Sequence, residues 1–145
     1  MIELINKPVP AAAEKAWTEA EAFLRVLLMC AVCNSEHASA RLAAVEELKR
    51  RSPFLRPIGE KGRIALHMKS VEQIGRCADP IVEACAVIPA AVAPSLFAHA
   101  LDLLIDDRAL NVAEEQLIET LRQCLRIDVA RALRMRDVLE TKNRW

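Results

Sequence analysis

At 145 residues the chain has the length of one domain. Its apolar content of 53% supports a continuous core, and charged residues at 28% are spread along it, which excludes disorder as the default. Twenty basic residues balance twenty acidic ones, so no net charge draws the whole molecule to nucleic acid or anionic lipid.

Composition also sets the fold class. Ala, Leu, Glu and Arg dominate, Tyr is absent and only three Gly are present. Sheets need β-branched and aromatic residues with glycine turns between strands, so the reading is all-α. Residues 1–10 read as a leader ended by Pro8 and Pro10, and residues 11–145 as a single helical domain. A first helix is expected over about Ala11–Cys33, with Phe23, Leu24, Leu27, Leu28 and Ala31 inward. After a polar break at Asn34-Ser35 a second runs to about Arg51, with Leu42, Val45 and Leu48 inward, and stops at Ser52-Pro53. A loop from Pro53 to Gly59 leads to a third amphipathic helix carrying Ile64, Met68, Val71 and Ile74.

Asp79-Pro80 is a helix start, with Asp as cap and Pro at the first helical position. The short helix it opens ends before Pro89. Pro94 sits in the first turn of the next, which runs to about Asp106 with Leu96, Phe97, Ala100, Leu101 and Leu104 inward. Asn111 caps a sixth helix, with Glu114 placed to complete a capping box. Asp128 caps the seventh, whose Leu133, Val138 and Leu139 are expected on one face. Seven helices with short connections make a compact bundle. The apolar run Ala84–Ala98 is broken by Pro89 and Pro94 and is shorter than the roughly 18–20 residues of a membrane helix. No membrane span is expected, and the same run is apolar enough to bury a homodimer partner.

A shift of 73 positions lays Leu24, Leu28, Ala31 and Val32 over Phe97, Leu101, Leu104 and Ile105, and Val45 and Leu48 over Ile118 and Leu121. This pattern suggests two related halves.

Reactive residues are sparse. Cys30 and Cys33 lie one helical turn apart with His37 close behind, a spacing that suits two zinc ligands or a dithiol. No second pair completes a four-ligand site, and core packing is the better explanation of these cysteines. Five cysteines with no secretory signal before them point to reduced thiols and a cytoplasmic location. His37, His67 and His99 stand apart from any nucleophile, and the glycines form no phosphate loop. Arg122, Arg126, Arg131, Arg134, Arg136, Lys142 and Arg144 make the last third locally basic. Asp128, Asp137 and Glu140 interleave with them, so the expectation is a solvated face with no nucleic acid partner.

The segment from Ala100 to Glu115, reading ALDLLIDDRALNVAEE, resembles the TerB-like (tellurite resistance) family, whose signature is Ala-Asp-Gly, a following hydrophobe and a Glu opening the next helix. Asp107 matches the Asp, Leu110 the hydrophobe and Glu114 the Glu. The ending from Arg136 to Arg144, RDVLETKNR, is similar to the closing segment of TerB proteins. The likeness covers about Asp79–Arg144; the first half matches mainly in helix pattern. It implies an all-helical bundle of two similar halves, a non-enzymatic interaction module with protein partners in a tellurite or wider stress-response assembly, and no required cofactor.

The family's acidic residues imply a divalent cation, and that proposal reaches Asp107 and Glu114 here, with Asp106 as a helper. The chain departs from the pattern at Arg108, where the family has Gly. In the first half the equivalents of Asp107 and Glu114 are Asn34 and Arg41. A hard cation needs about six oxygen ligands, several of them anionic. The substitutions remove much of that charge, so the expectation is that Arg41 pairs with Asp107 or Glu114 in place of the cation.

Overall fold

The computed structural model describes residues 11–55, 64, 68, 80–105 and 110–144. Among these, all regular structure is helical. Six helices have defined bounds: α1 (Ala11–Val32), α2 (Ala38–Arg51), α3 (Pro80–Ala86), α4 (Ala93–Leu104), α5 (Val112–Cys124) and α6 (Val129–Arg144). The compact all-helical bundle is as expected. The additional helix expected around Ile64–Ile74 falls largely outside the described residues. Ile64 and Met68, which the pattern placed on its apolar stripe, are exposed.

Helix α1 is the axis of the fold, packing against α2, α3 and α4. The expected stripe of Phe23, Leu24, Leu27, Leu28 and Ala31 is buried, and the burial extends around the whole helix. Every residue from Glu21 to Leu28 is buried, including Arg25. A helix apolar on nearly all sides belongs inside a bundle, where each fully buried Leu or Phe contributes about 1.5–3 kcal/mol. Val32, at the end of α1, is exposed.

The ends of the elements follow local chemistry. Pro53 disfavours helical backbone at Ser52, which takes φ −66° and ψ 124° while its N–H closes the helix onto the Leu48 carbonyl at 2.8 Å. Val45 and Leu48 of α2 are buried and Leu42 is half-buried against the core. Helix α3 begins at Pro80 and ends before Pro89, and α4 carries Pro94 in its first turn. Leu96, Phe97, Ala100, Leu101 and Leu104 of α4 are all buried. That helix stops at Leu104, short of Asp106, because Ile105 turns extended and donates its N–H to the Leu101 carbonyl at 2.8 Å.

The turn from α5 to α6 places Arg126 at φ 59°, a left-handed conformation uncommon for a residue with a Cβ. Arg122 braces it twice. Its carbonyl accepts the Ile127 N–H at 2.9 Å, and its guanidinium donates to the Ile127 carbonyl at 3.1 Å. Asp128 then caps α6 by accepting the Arg131 N–H at 3.2 Å.

One expectation needs correction. In α6, Leu133 and Val138 are 62% and 64% exposed; the inward line is Ala132, Met135 and Leu139. Apolar residues on both sides of a mostly polar helix made its phase ambiguous, and contact with α4 selects the smaller set. Part of the apolar run Ala84–Ala98 is turned into the fold. Ala84, Cys85, Ala93, Leu96 and Phe97 are buried in the chain's own core.

The contrast between α1 and α6 is measurable. Leu27→Ala should cost about 2–5 kcal/mol of unfolding free energy in urea denaturation, whereas Val138→Ala should stay within about 0.5 kcal/mol. Equal costs would place α6 in a different phase.

Candidate functional site

The acidic turn before α5 is organised first by its own sequence. Asn111 takes extended backbone (φ −82°, ψ 175°), and its side-chain oxygen accepts the Glu114 N–H at 2.7 Å. Glu114 returns the bond, its Oε1 accepting the Asn111 N–H at 2.9 Å. The expected capping box is therefore present. Two otherwise unpaired helix N–H groups are satisfied, and the carboxylate gains from the helix dipole.

The box leaves Oε2 facing inward, and α2 supplies its partner. Arg41 Nη2 lies 2.8 Å from Glu114 Oε2, with the two side chains only 6% and 3% exposed. Asn34, in the connection between α1 and α2, donates its side-chain amide to the same oxygen at 3.4 Å. The Asn34 side-chain oxygen meanwhile accepts the Glu36 N–H at 3.1 Å, which fixes the amide's orientation. Arg41 also donates from Nη2 to the Leu104 carbonyl at 3.3 Å, the last residue of α4. Its Nη1 reaches the Cys33 sulfur at 4.0 Å. One guanidinium thus joins the ends of α1, α4 and α5 to α2.

Electrostatics follow from this packing. Burial pushes the Glu114 carboxyl up. The Asn111 N–H, the Arg41 guanidinium and the Asn34 amide outweigh it together and hold the group below its usual range. Glu114 is ionised at neutral pH and both of its oxygens are engaged. Asp106, Asp107 and Arg108 lie outside the described residues, so the cluster is described without them. Among the described residues no group of three or more His, Cys, Asp or Glu side chains is placed to hold a metal ion.

The Cys30–Cys33–His37 set is arranged differently from a ligand site. Cys30 is buried in the core, and the Cys33 thiol donates to the Cys30 carbonyl at 3.3 Å. Burial raises both thiols. The Arg41 guanidinium beside Cys33 adds positive charge where a dication would sit. His37 lies at the start of α2 without capping it through its side chain. His99 is half-buried, packed edge-on to Phe23 at 6.2 Å between centroids, and burial lowers its pKa. His67 and Cys77 lie outside the described residues.

Much of the charge in the last third is spent within the molecule. Arg122 pairs with Glu119 at 2.6 Å, Arg136 with Glu115 at 2.7 Å and Glu140 at 3.2 Å, and Lys142 with Asp102 at 3.2 Å. Two sets of polar residues gave no signal in the sequence reading. Glu21 and Arg25 are buried in α1 and paired at 3.5 Å; their i,i+4 spacing within an apolar helix was the available clue. Cys85 and Cys124, 39 positions apart, share one cavity and had no local signature. No family model, curated protein or solved structure matches the chain.

Removing one partner of a buried pair strands the other charge. Arg41→Met should therefore cost about 3–5 kcal/mol. Glu114→Gln keeps the capping box, and the double variant should cost less than the two single ones together, by about 0.5–3 kcal/mol of coupling. Strict additivity in urea denaturation would dissolve the pair as an energetic unit.

The depressed Glu114 pKa also fixes a pH dependence. A carboxyl with a lowered folded-state pKa stabilises above its ordinary value of 4.5, and the contribution is lost as pH falls through the folded value. The stability advantage of wild type over Glu114→Gln should be largest near neutrality and shrink steadily below about pH 4.5. Denaturation midpoints between pH 3 and 7 read it directly.

Proposed function

We propose that the chain is a TerB-like, non-enzymatic interaction module in the cytoplasm, working within a stress-response assembly and standing without a metal ion. The observation that carries this reading is the buried Arg41–Glu114 pair with Asn34 beside it. Arg41 and Glu114 stand 73 positions apart, the same offset that aligns the two halves in sequence. Residues related by an internal two-fold meet near its axis, where two equivalent glutamates would repel unless a cation or a proton sat between them. With Arg in one copy the contact becomes attractive, and the guanidinium does the work of the cation.

The burial pattern supports the two-halves reading. Leu24, Leu28, Ala31, Val45 and Leu48 are buried, and so are their counterparts Phe97, Leu101, Leu104, Ile118 and Leu121. Val32 and Ile105 differ, the first exposed and the second buried. Protein contact as the task is supported by the apolar side chains left at the surface of α5 and α6, namely Val112, Val129, Leu133 and Val138.

Two measurements test the reading. Thermal melts of the reduced protein with EDTA, Ca²⁺, Mg²⁺, Mn²⁺ or Zn²⁺ should superimpose. An ion at a hundred times its dissociation constant would add about 2.7 kcal/mol, a shift of several degrees. A hard-cation shift abolished in Asp107→Ala/Glu114→Ala would replace the proposal with metal binding through Asp106, Asp107 and Glu114. A zinc shift that survives that variant would move the function to Cys30, Cys33 and His37. For the module itself, cells lacking the chain should lose resistance to tellurite or oxidants and regain it with the wild-type gene. Unchanged growth under every stress, with no partner cross-linked to the chain at its native level, would overturn the assembly role.

A further inference from the structure

Away from the Arg41–Glu114 cluster, two thiols come together from separate helices. Cys85 lies one residue from the end of α3, and Cys124 is the last residue of α5. The two helices pack against each other, and both cysteines are free. Both line a cavity of about 450 Å³, whose wall includes Ile88 before α4, Arg126 and Asp128 from the α5–α6 turn, and Arg131 from the first turn of α6.

The two sulfurs are not equivalent. Cys85 is buried, whereas Cys124 is partly open to solvent. Burial pushes the Cys85 thiol up to about 12, with the neighbouring Cys124 adding to the rise. Cys85 therefore stays protonated and unreactive toward solutes, and Cys124 is the thiol that a small oxidant in the cavity meets first. Arg126 and Arg131 bring positive charge to the wall, where it favours the anion that leaves the peroxide. The Asp128 carboxylate offsets part of that charge, but it already accepts the Arg131 N–H.

We propose that Cys124 and Cys85 form a hydroperoxide-reactive dithiol site that closes to an intramolecular disulfide tying α3 to α5. The Cys124 thiolate attacks one peroxide oxygen. The O–O bond breaks, the second oxygen leaves with the electron pair and takes a proton as water or an alcohol, and Cys124 becomes a sulfenic acid. The Cys85 sulfur then attacks the Cys124 sulfur, the S–O bond breaks, and the departing hydroxide takes the Cys85 proton as water. Two thiols are oxidised by two electrons in total and one hydroperoxide is reduced. The Cys30–Cys33 pair lacks this arrangement, since its two cysteines lie three residues apart at the end of α1 and the Cys33 thiol donates to the Cys30 carbonyl.

The test uses the full reduced chain treated with hydrogen peroxide or cumene hydroperoxide and read by intact mass and non-reduced peptide mapping. The expected result is loss of two hydrogens, loss of two alkylatable thiols and one linked peptide joining Cys85 to Cys124, all reversed by dithiothreitol. In Cys85→Ala the sulfenic acid should persist on Cys124 and be trapped by dimedone. A disulfide that forms first through Cys30, Cys33 or Cys77 would overturn the proposal. So would five alkylatable thiols after an exposure that fully oxidises free glutathione. The wild-type map decides the matter even if the variant does not fold.

Discussion

A carboxylate out of contact with water has to be answered in full, and Glu114 is the position where this chain meets that demand. Leaving a buried charge unpaired costs several kcal/mol, so every element that touches Glu114 is constrained by it. Asn111 must hold extended backbone to exchange bonds with it, Asn34 must turn its amide inward, and Arg41 must leave the solvated side of α2. Arg41 in turn needs acceptors for its other N–H groups, and the open carbonyl at the end of α4 is one. The polar geometry adds a constraint on the register of α2 against α4 and α5 to that of the packed core. The stabilisation such a pair adds over a well-packed apolar replacement is small. Its value here is in specifying one arrangement.

The same logic separates the two charged regions of the molecule. Around Arg41 and Glu114 the charges are few, buried and fully engaged. Along α5 and α6 they are numerous and exposed, and pairs such as Arg136 with Glu115 contribute at most about 1 kcal/mol each. The Arg136 contact still has a structural role, because it crosses from α6 to α5. Lys142 and Asn143 extend this at the far end of α6, reaching Asp102 of α4 and the Ile105 carbonyl. The closing helix is thus held to the bundle by polar contacts along its length together with the apolar footing of Ala132, Met135 and Leu139.

What could be read from the sequence depended on how local the cause was. The capping box at Asn111 was legible because its partners lie three residues apart, and the stop at Ser52-Pro53 because proline acts on its neighbour. Helix α4 was legible because its apolar positions form one clean stripe. Helix α6 misled because Leu133 and Val138 are as apolar as the residues that face the core, and only contact with α4 distinguishes them. Helix α1 was recognised, but its all-round burial was not, since charged residues such as Glu21 and Arg25 are buried only when a partner answers them. The approach of Arg41 to Glu114 was suggested through the TerB-like resemblance rather than through any pattern in the residues. The approach of Cys85 to Cys124 depends on how α3 and α5 pack, which no short window of sequence encodes.

The two halves of the Glu114 site also differ in the distance along the chain that must be closed to form them. The capping box closes over three residues and forms with the first turn of α5, whereas Arg41 arrives from 73 residues away, after a loop-closure cost that only a formed core can offset. The carboxylate is therefore positioned before its cation arrives. Bonds made late act chiefly on how long the native state lasts and little on how fast it is reached. In kinetic terms the guanidinium is expected to act as a latch, a contact formed late that lengthens the lifetime of the closed form.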